Sequence, residues 1–191
     1  MFNFLKKRNK EKMQNNFQEL FEKYAGIMKN EFEDYEKFKN KVLEKGYKVE
    51  EDDNFDSLFF KVFLNEIEGK LGEGVPCVLY DYPVSMAALS KKCVDEKYAQ
   101  RFEVYIGGVE LCNAFTELND YKEQFSRLEK EREERKSLGK DEYEVDQSFV
   151  DALRLGMPPS GGNALGVDRL IMLILDARSI EEVLYFPFKD L

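Results

Sequence analysis

The sequence predicts an α+β fold: an antiparallel sheet flanked by helices and preceded by a helical segment. Three observations carry this. Residues 13–71 repeat their apolar side chains at helical steps, residues 76–115 switch to alternation around a glycine pair, and residues 119–175 return to the helical period.

Each element follows from its local pattern. Over 13–45, Phe17, Phe21, Tyr24, Met28, Phe32, Tyr35, Phe38 and Val42 recur at three- and four-residue steps between Glu and Lys, predicting one or two amphipathic helices. Such an aromatic stripe reads as core or as a helix–helix seam. Asp52, Asp53 and Asn54 offer an N-cap for a second helix running to Leu71, with Leu58, Phe59, Val62, Phe63 and Ile67 inward and Gly72 and Gly74 ending it. PCVLYDYP (76–83) is a short apolar strand closed by Pro83. RFEVYIGGVELCNAF (101–115) is a hairpin turning at Gly107-Gly108, since glycines reach the positive φ angles a two-residue turn demands. A charged helix over 119–139 carries Tyr121, Phe125 and Leu128 on one face. Asp146 caps a further helix bearing Phe149, Ala152 and Leu153, which Gly156 ends. The loop GMPPSGGNALG then leads into an apolar core helix, Val167–Leu175, and a last strand is expected near VLYFPF (183–188).

Composition narrows the chemistry. The chain has 191 residues, 43% hydrophobic and 35% charged, as expected of one globular domain. No run approaches the roughly 18 apolar residues of a membrane span, and the N-terminus lacks a secretory pattern, so a cytoplasmic location and no membrane partner are expected. A net charge of −9 argues against a broad nucleic-acid surface. Lys6, Lys7, Arg8, Lys10 and Lys12 read as a solvated, frayed terminus. Cys77, Cys93 and Cys112 are widely spaced, fit a reducing compartment and form no zinc pattern. Histidine is absent, which excludes Ser-His-Asp and Cys-His nucleophile schemes. Chemistry here runs on carboxylates, Arg, Lys, Tyr and backbone groups.

Pairing the hairpin about its turn sets Ile106 opposite Val109, Tyr105 opposite Glu110 and Glu103 opposite Cys112. Arg101, Glu103, Tyr105, Glu110 and Cys112 then share one face, while Phe102, Val104, Ile106, Val109 and Leu111 share the other, expected to be core. The charged face has two readings. One is a solvated sheet face with cross-strand charge pairs. The other is a hard-cation site, because Mg²⁺ is held by one or two carboxylates plus nucleotide phosphates, and Glu103 and Glu110 supply the carboxylates. Asn113, Phe115 and Glu117 follow with an amide, an aromatic wall and an anion for an ammonium group. Spacing leaves both readings open.

The segments LFFKVFLNEIEGKLG, YDYPVSMAALSK, RFEVYIGGVELCNAFTELND, GMPPSGGNALGVDRLIML and VLYFPF stand in an order and at separations that resemble the core of class II lysyl-tRNA synthetases. They are most similar to the elongation factor P–lysine ligases. The resemblance runs from about Phe55 to the end, so residues 1–54 are expected as a helical N-terminal segment and 55–191 as the C-terminal part of a class II synthetase-like catalytic core. It implies activation of lysine or β-lysine with ATP and Mg²⁺, then transfer to a protein acceptor such as elongation factor P, or to tRNA. GNALGVDRL resembles class II motif 3, which implies that Arg169 lies against bound ATP as the catalytic arginine. Glu103 and Glu110 are implied as ligands of Mg²⁺–ATP, with Leu111 and Gly166 beside the nucleotide. Asn113, Phe115, Glu117 and Ala164 are implied to line the amino-acid pocket. Ala164 stands where the tRNA enzymes carry glycine and the protein ligases alanine. Together with the lack of an anticodon-binding domain in the sequence, it points away from tRNA binding.

The sequence also departs from the family. Motif 1 and the Arg-x-Glu strand pair of motif 2 are not found, and Arg8 is the only arginine before Arg101. Ala114 replaces the glycine of the Asn-Gly-Phe stretch. Three readings follow: half of a ligase whose motifs 1 and 2 lie on a companion chain or a missing segment, a catalytically silent paralogue that keeps a ligand pocket or regulates a related synthetase, and a helical interaction module that dimerises through the stripe at 17–42. The partner expected is that companion chain or a second copy in a homo-oligomer.

Overall fold

The computed structural model describes residues 13–187. The basic residues 6–12 and Phe188 of the expected last strand lie outside them. Residues 13–45, expected as helix, begin with a three-residue strand, β1 (Gln14–Asn16). Asn16 then caps α1 (Phe17–Leu20) by accepting from the Glu19 N–H at 2.9 Å, and a wider helical turn continues to Ala25. Short α2 (Lys29–Phe32) and longer α3 (Tyr35–Glu44) follow, the latter capped by Asp34. Of the three candidate caps before the next helix, Asn54 takes the role, accepting from the Ser57 N–H at 2.9 Å. That helix, α4 (Phe55–Val62), widens over Phe63–Ile67 and tightens into a final turn at Glu68–Lys70.

The sheet has five strands in the order β1-β2-β3-β4-β5, with β2 at Cys77–Pro83, β3 at Tyr98–Ile106, β4 at Val109–Thr116 and β5 at Gly161–Leu165. It is antiparallel except for β1, which runs parallel to β2 at one edge. Strand β5 is a correction, since residues 161–165 were expected as loop. They pair instead with β4, Asn113 opposite Ala164 and Phe115 opposite Gly162. Helices α5 (Tyr121–Ser137) and α6 (Gln147–Gly156) connect β4 to β5, and α7 (Val167–Leu175) follows it.

The stripe is core at Phe17, Phe21, Phe32, Phe38 and Val42, whereas Tyr24 and Tyr35 are half-buried and Met28, expected inward, is exposed. Phe17 lies 5.0 Å from Phe59 and 4.6 Å from Tyr82 between ring centroids, and Phe21 meets Phe32 and Phe59 at 4.9 and 5.0 Å. Each such pair adds about 0.5–1.5 kcal/mol beyond the area it buries. These rings join Phe38, Val42, Leu58, Ile67 and Leu79 in one cluster, so residues 17–42 share a core with α4 and β2. The interaction-module reading thereby loses its support, because Phe21, Phe32 and the other phenylalanines it needed at a surface are inside.

Several facial assignments are corrected. Phe102, expected in the core, is 40% exposed, whereas Glu103 and Tyr105 are buried at 6% and 2%. Phe17, Phe59 and Phe63 pack over the Glu103 side of the sheet, which inverts the expected inside and outside of the hairpin. On α5 the buried side chain is Gln124 and Phe125 is exposed; on α6, Val150 and Leu153 are buried and Phe149 and Ala152 are exposed. Helix α7 forms where expected but buries none of its residues. In place of the last strand, residues 183–187 hold only turns after a short helical turn at Ile180–Glu182.

Candidate functional site

The site is created by one irregularity in the β3–β4 ladder. The turn pairs Ile106 with Val109 and Tyr105 with Glu110 as expected, but Val104 then pairs with Cys112 and Glu103 with Asn113. Leu111 is the extra residue of a bulge. Because side chains alternate along a strand, one added residue flips every later side chain to the opposite face. Cys112, expected beside Glu103, therefore leaves that face. Asn113, Phe115 and Glu117 join it, so Glu103, Glu110, Asn113, Phe115 and Glu117 all project from one side. Opposite Asn113 and Phe115, Ala164 and Gly162 of β5 extend the same surface.

Arg101 organises its buried end. Its guanidinium donates from Nη2 to Glu103 Oε1 at 2.7 Å, from Nε to Asn113 Oδ1 at 3.2 Å, and from Nη1 to the Met86 carbonyl at 2.8 Å. It also lies 4.2 Å from the Tyr82 ring centroid and 5.6 Å from that of Phe115. The other Glu103 oxygen accepts from the Tyr105 hydroxyl at 2.8 Å. Burial first, and the Glu103 charge second, push the hydroxyls of Tyr82 and Tyr105 well above the usual phenol range, so both remain donors.

Arg169 anchors the other end. Its Nη1 donates to the Glu110 carbonyl at 2.7 Å and reaches the Glu110 carboxylate at 3.4 Å. At the start of the helix expected in the core, Asp168 and Arg169 are exposed, with 47% of the Arg169 side chain accessible. Gly166 makes the approach possible: a Cβ there would stand 3.2 Å from Arg169 Cδ, and its N–H donates to the Leu111 carbonyl at 2.9 Å. Glu110, Leu111, Asn113, Ala164, Gly166 and Arg169 line one cleft of about 350 Å³. Glu103 lines a neighbouring cavity of about 160 Å³, joined to the cleft through Glu110. Glu117 and Phe115 are on the same face beyond the cleft, and Gly162 leaves room for the Glu117 carboxylate, since a Cβ there would collide with Oε1 at 1.8 Å. The Glu117 N–H donates to the Ser160 carbonyl at 3.0 Å.

Sequence reasoning left Arg101 without a role and missed Glu68, Tyr82 and Gly162. The Arg-x-Glu spacing of 101 and 103 on a strand was the available signal for Arg101. No local signal marks Glu68, which reaches the site from the end of α4. Among the described residues, no three potential metal ligands converge on one point, and no helix is long and apolar enough to cross a membrane. No disulfide joins Cys77, Cys93 and Cys112 to one another.

Residues 3–190 match the family of class II tRNA synthetases (D, K and N), and the chain belongs to it. The match takes in residues 3–54, which the sequence reading set apart. The chain is 42% identical over 147 residues to the elongation factor P–(R)-β-lysine ligase of Haemophilus ducreyi, covering 76% of this chain and 45% of that one. It is 38% identical over 166 residues to the lysine–tRNA ligase of Campylobacter jejuni and 43% over 175 to that of Clostridium tetani, in each case covering 86% of this chain and 33% of the relative. The chain thus spans between a third and just under half the length of the curated relatives it matches.

Proposed function

We propose that this chain carries the lysine- and ATP-binding part of a lysine ligase, activating lysine or β-lysine as its adenylate for transfer to a protein such as elongation factor P or to tRNA. The observation that supports it most is the bulge at Leu111, which gathers two carboxylates, an amide, an aromatic ring and a third carboxylate onto one face beside Arg169.

The donor set fits the magnesium that the family uses. Mg²⁺ takes one or two carboxylates and completes its shell with water and phosphate, and Glu103 and Glu110 border adjoining cavities without forming a closed cage. Bound there, Mg²⁺ neutralises charge on the ATP phosphates. The remaining work belongs to the side chains. Arg169, already turned toward Glu110, offers a planar cation to the adenine and phosphates. Leu111 and Gly166 present backbone to the nucleotide. Glu117 faces the amino group of lysine, Phe115 covers its methylenes, and Asn113 and Ala164 bound the pocket. In the reaction a lysine carboxylate oxygen bonds to the α-phosphorus as the bond to the bridging oxygen breaks and pyrophosphate leaves. The acceptor amine or hydroxyl then attacks the lysyl carbonyl and AMP departs. This chemistry relies on positioning and charge neutralisation, which a histidine-free site provides.

Arg101 is committed to Glu103, Asn113 and Met86, so it is not the arginine that clamps the α-phosphate. A companion segment carrying that arginine completes the site. Strand β5 is where it docks, as Gly161, Asn163, Ala164 and Leu165 are exposed along an open sheet edge next to the cleft. Without the clamp, activation is slowed by about 10²–10³. The test is ATP–pyrophosphate exchange with Mg²⁺ and either lysine isomer, on the chain alone and with a fragment of a relative that supplies the clamp. Slow exchange that the fragment accelerates and Glu110→Ala abolishes is expected. No exchange from the folded chain in either arrangement overturns the proposal.

A further inference from the structure

The end of α4 is clamped to the β3–β4 turn by backbone alone. Gly107 N–H donates to the Gly72 carbonyl at 2.9 Å and Gly108 N–H to the Leu71 carbonyl at 2.7 Å. A Cβ at Gly72 would stand 2.4 Å from the Tyr105 carbonyl oxygen, and one at Gly108 would stand 2.9 Å from that of Gly69. Ile67 and Leu71, buried at 0% and 1%, anchor the turn from within. The clamp fixes Glu68 on the wall of the cavity that Glu103, Tyr105 and Glu110 also line. Glu103 is paired with Arg101 and Glu110 with Arg169, whereas no cation among the described residues lies within ion-pair distance of Glu68. Three carboxylates thus line a partly buried cavity with one guanidinium, that of Arg101, while Arg169 reaches Glu110 from the adjoining cleft, an excess of negative charge that a divalent cation would neutralise.

We infer that Glu68 is a positioning residue for the divalent cation held by Glu103 and Glu110, accepting hydrogen bonds from waters on that cation. The inference rests on the nucleotide-site reading above. Contact through water follows from the geometry, because these side chains do not converge as three direct ligands, and from the reluctance of Mg²⁺ to shed its water. Carboxylates acting at this distance typically change metal affinity by about 10–100-fold.

The test is Mn²⁺ binding to the whole chain without added ATP, which would itself take up the ion, followed by the paramagnetic signal of free Mn²⁺, alongside melting in EDTA. Glu68→Gln and Glu68→Ala are expected to weaken Mn²⁺ about tenfold. Both should melt higher than wild type in EDTA, because the repulsion is gone. Glu110→Ala is expected to lose the ion. Wild-type affinity in both Glu68 variants, with Glu110→Ala impaired, overturns the inference and leaves the nucleotide site standing. A lower melting temperature in EDTA with unchanged Mn²⁺ affinity also overturns it, making Glu68 a structural residue. If the wild-type chain binds no Mn²⁺, the site reading fails and the inference falls with it.

Discussion

Glu103 stands directly opposite Asn113 across the β3–β4 ladder, and one guanidinium, that of Arg101, holds both. This pairing exists only because Leu111 is bulged out. It joins the proposed cation-binding end of the face to the proposed amino-acid end, so a change at Arg101 is felt at both.

Arg101→Met should therefore leave a buried carboxylate without its cation. Removing one partner of a buried pair costs about 3–5 kcal/mol. Urea denaturation is expected to show a loss of that size, and Arg101→Lys should recover little of it, since an ammonium cannot bridge Glu103, Asn113 and Met86 at once. A loss below 1 kcal/mol would mean that the pair is not what organises this face.

Gly162→Ala tests the amino-acid end without touching the core. The new methyl would occupy the place of the Glu117 carboxylate, which must then turn away. Loss of a charge-assisted hydrogen bond of about 1.5–3 kcal/mol corresponds to roughly 10–100-fold in lysine affinity. Calorimetric titration with lysine should show that fall, with the melting temperature almost unchanged.

The clamp between α4 and the hairpin makes Gly72 sensitive and Gly74 tolerant. Both have positive φ, 75° and 78°, but only at Gly72 does a Cβ strike backbone. Gly74→Ala is expected to cost about 1 kcal/mol from backbone strain alone. Gly72→Ala should cost about 3 kcal/mol or more, as measured by chemical denaturation. Equal costs would show that the contact with Tyr105 relaxes freely.

Stability should also depend on pH through Asp53. The Lys61 ammonium, and after it the Glu50 backbone N–H, hold its carboxyl at about 2 against an ordinary 3.8. A folded-state value below the unfolded one gives stability that is complete above about pH 4 and lost as pH falls toward 2. Asp53→Asn should be less stable than wild type above about pH 4, with the gap closing toward pH 2. Thermal melts across that range check it, and a constant gap would contradict the assignment.

Much of this was legible in the sequence, because the informative features are local. Gly107-Gly108 fixed the hairpin turn, Asn54 and Asp146 marked helix starts, and the aromatic period at 17–42 identified core. The bulge was not legible, as VELCNAF contains no glycine or proline to mark it, and missing it misplaced Cys112 and Asn113 by one face. Burial on the hairpin was misread because hydrophobicity alone set Phe102 inward, whereas Arg101 and Tyr105 satisfy Glu103 well enough to bury it. Strand β5 escaped because Gly161 and Gly162 signal a loop, although here Gly162 admits the Glu117 carboxylate against the backbone. Glu68 depends on a tertiary contact between two turns, which no window of sequence contains.

The most direct test of the central claim is equilibrium binding of lysine and of Mg²⁺–ATP to the chain, compared with Glu117→Gln and Glu110→Ala. The account predicts that Glu117→Gln weakens lysine and spares the nucleotide, while Glu110→Ala weakens the nucleotide and spares lysine. A folded chain that binds neither ligand, or two variants that bind both as wild type does, would contradict it.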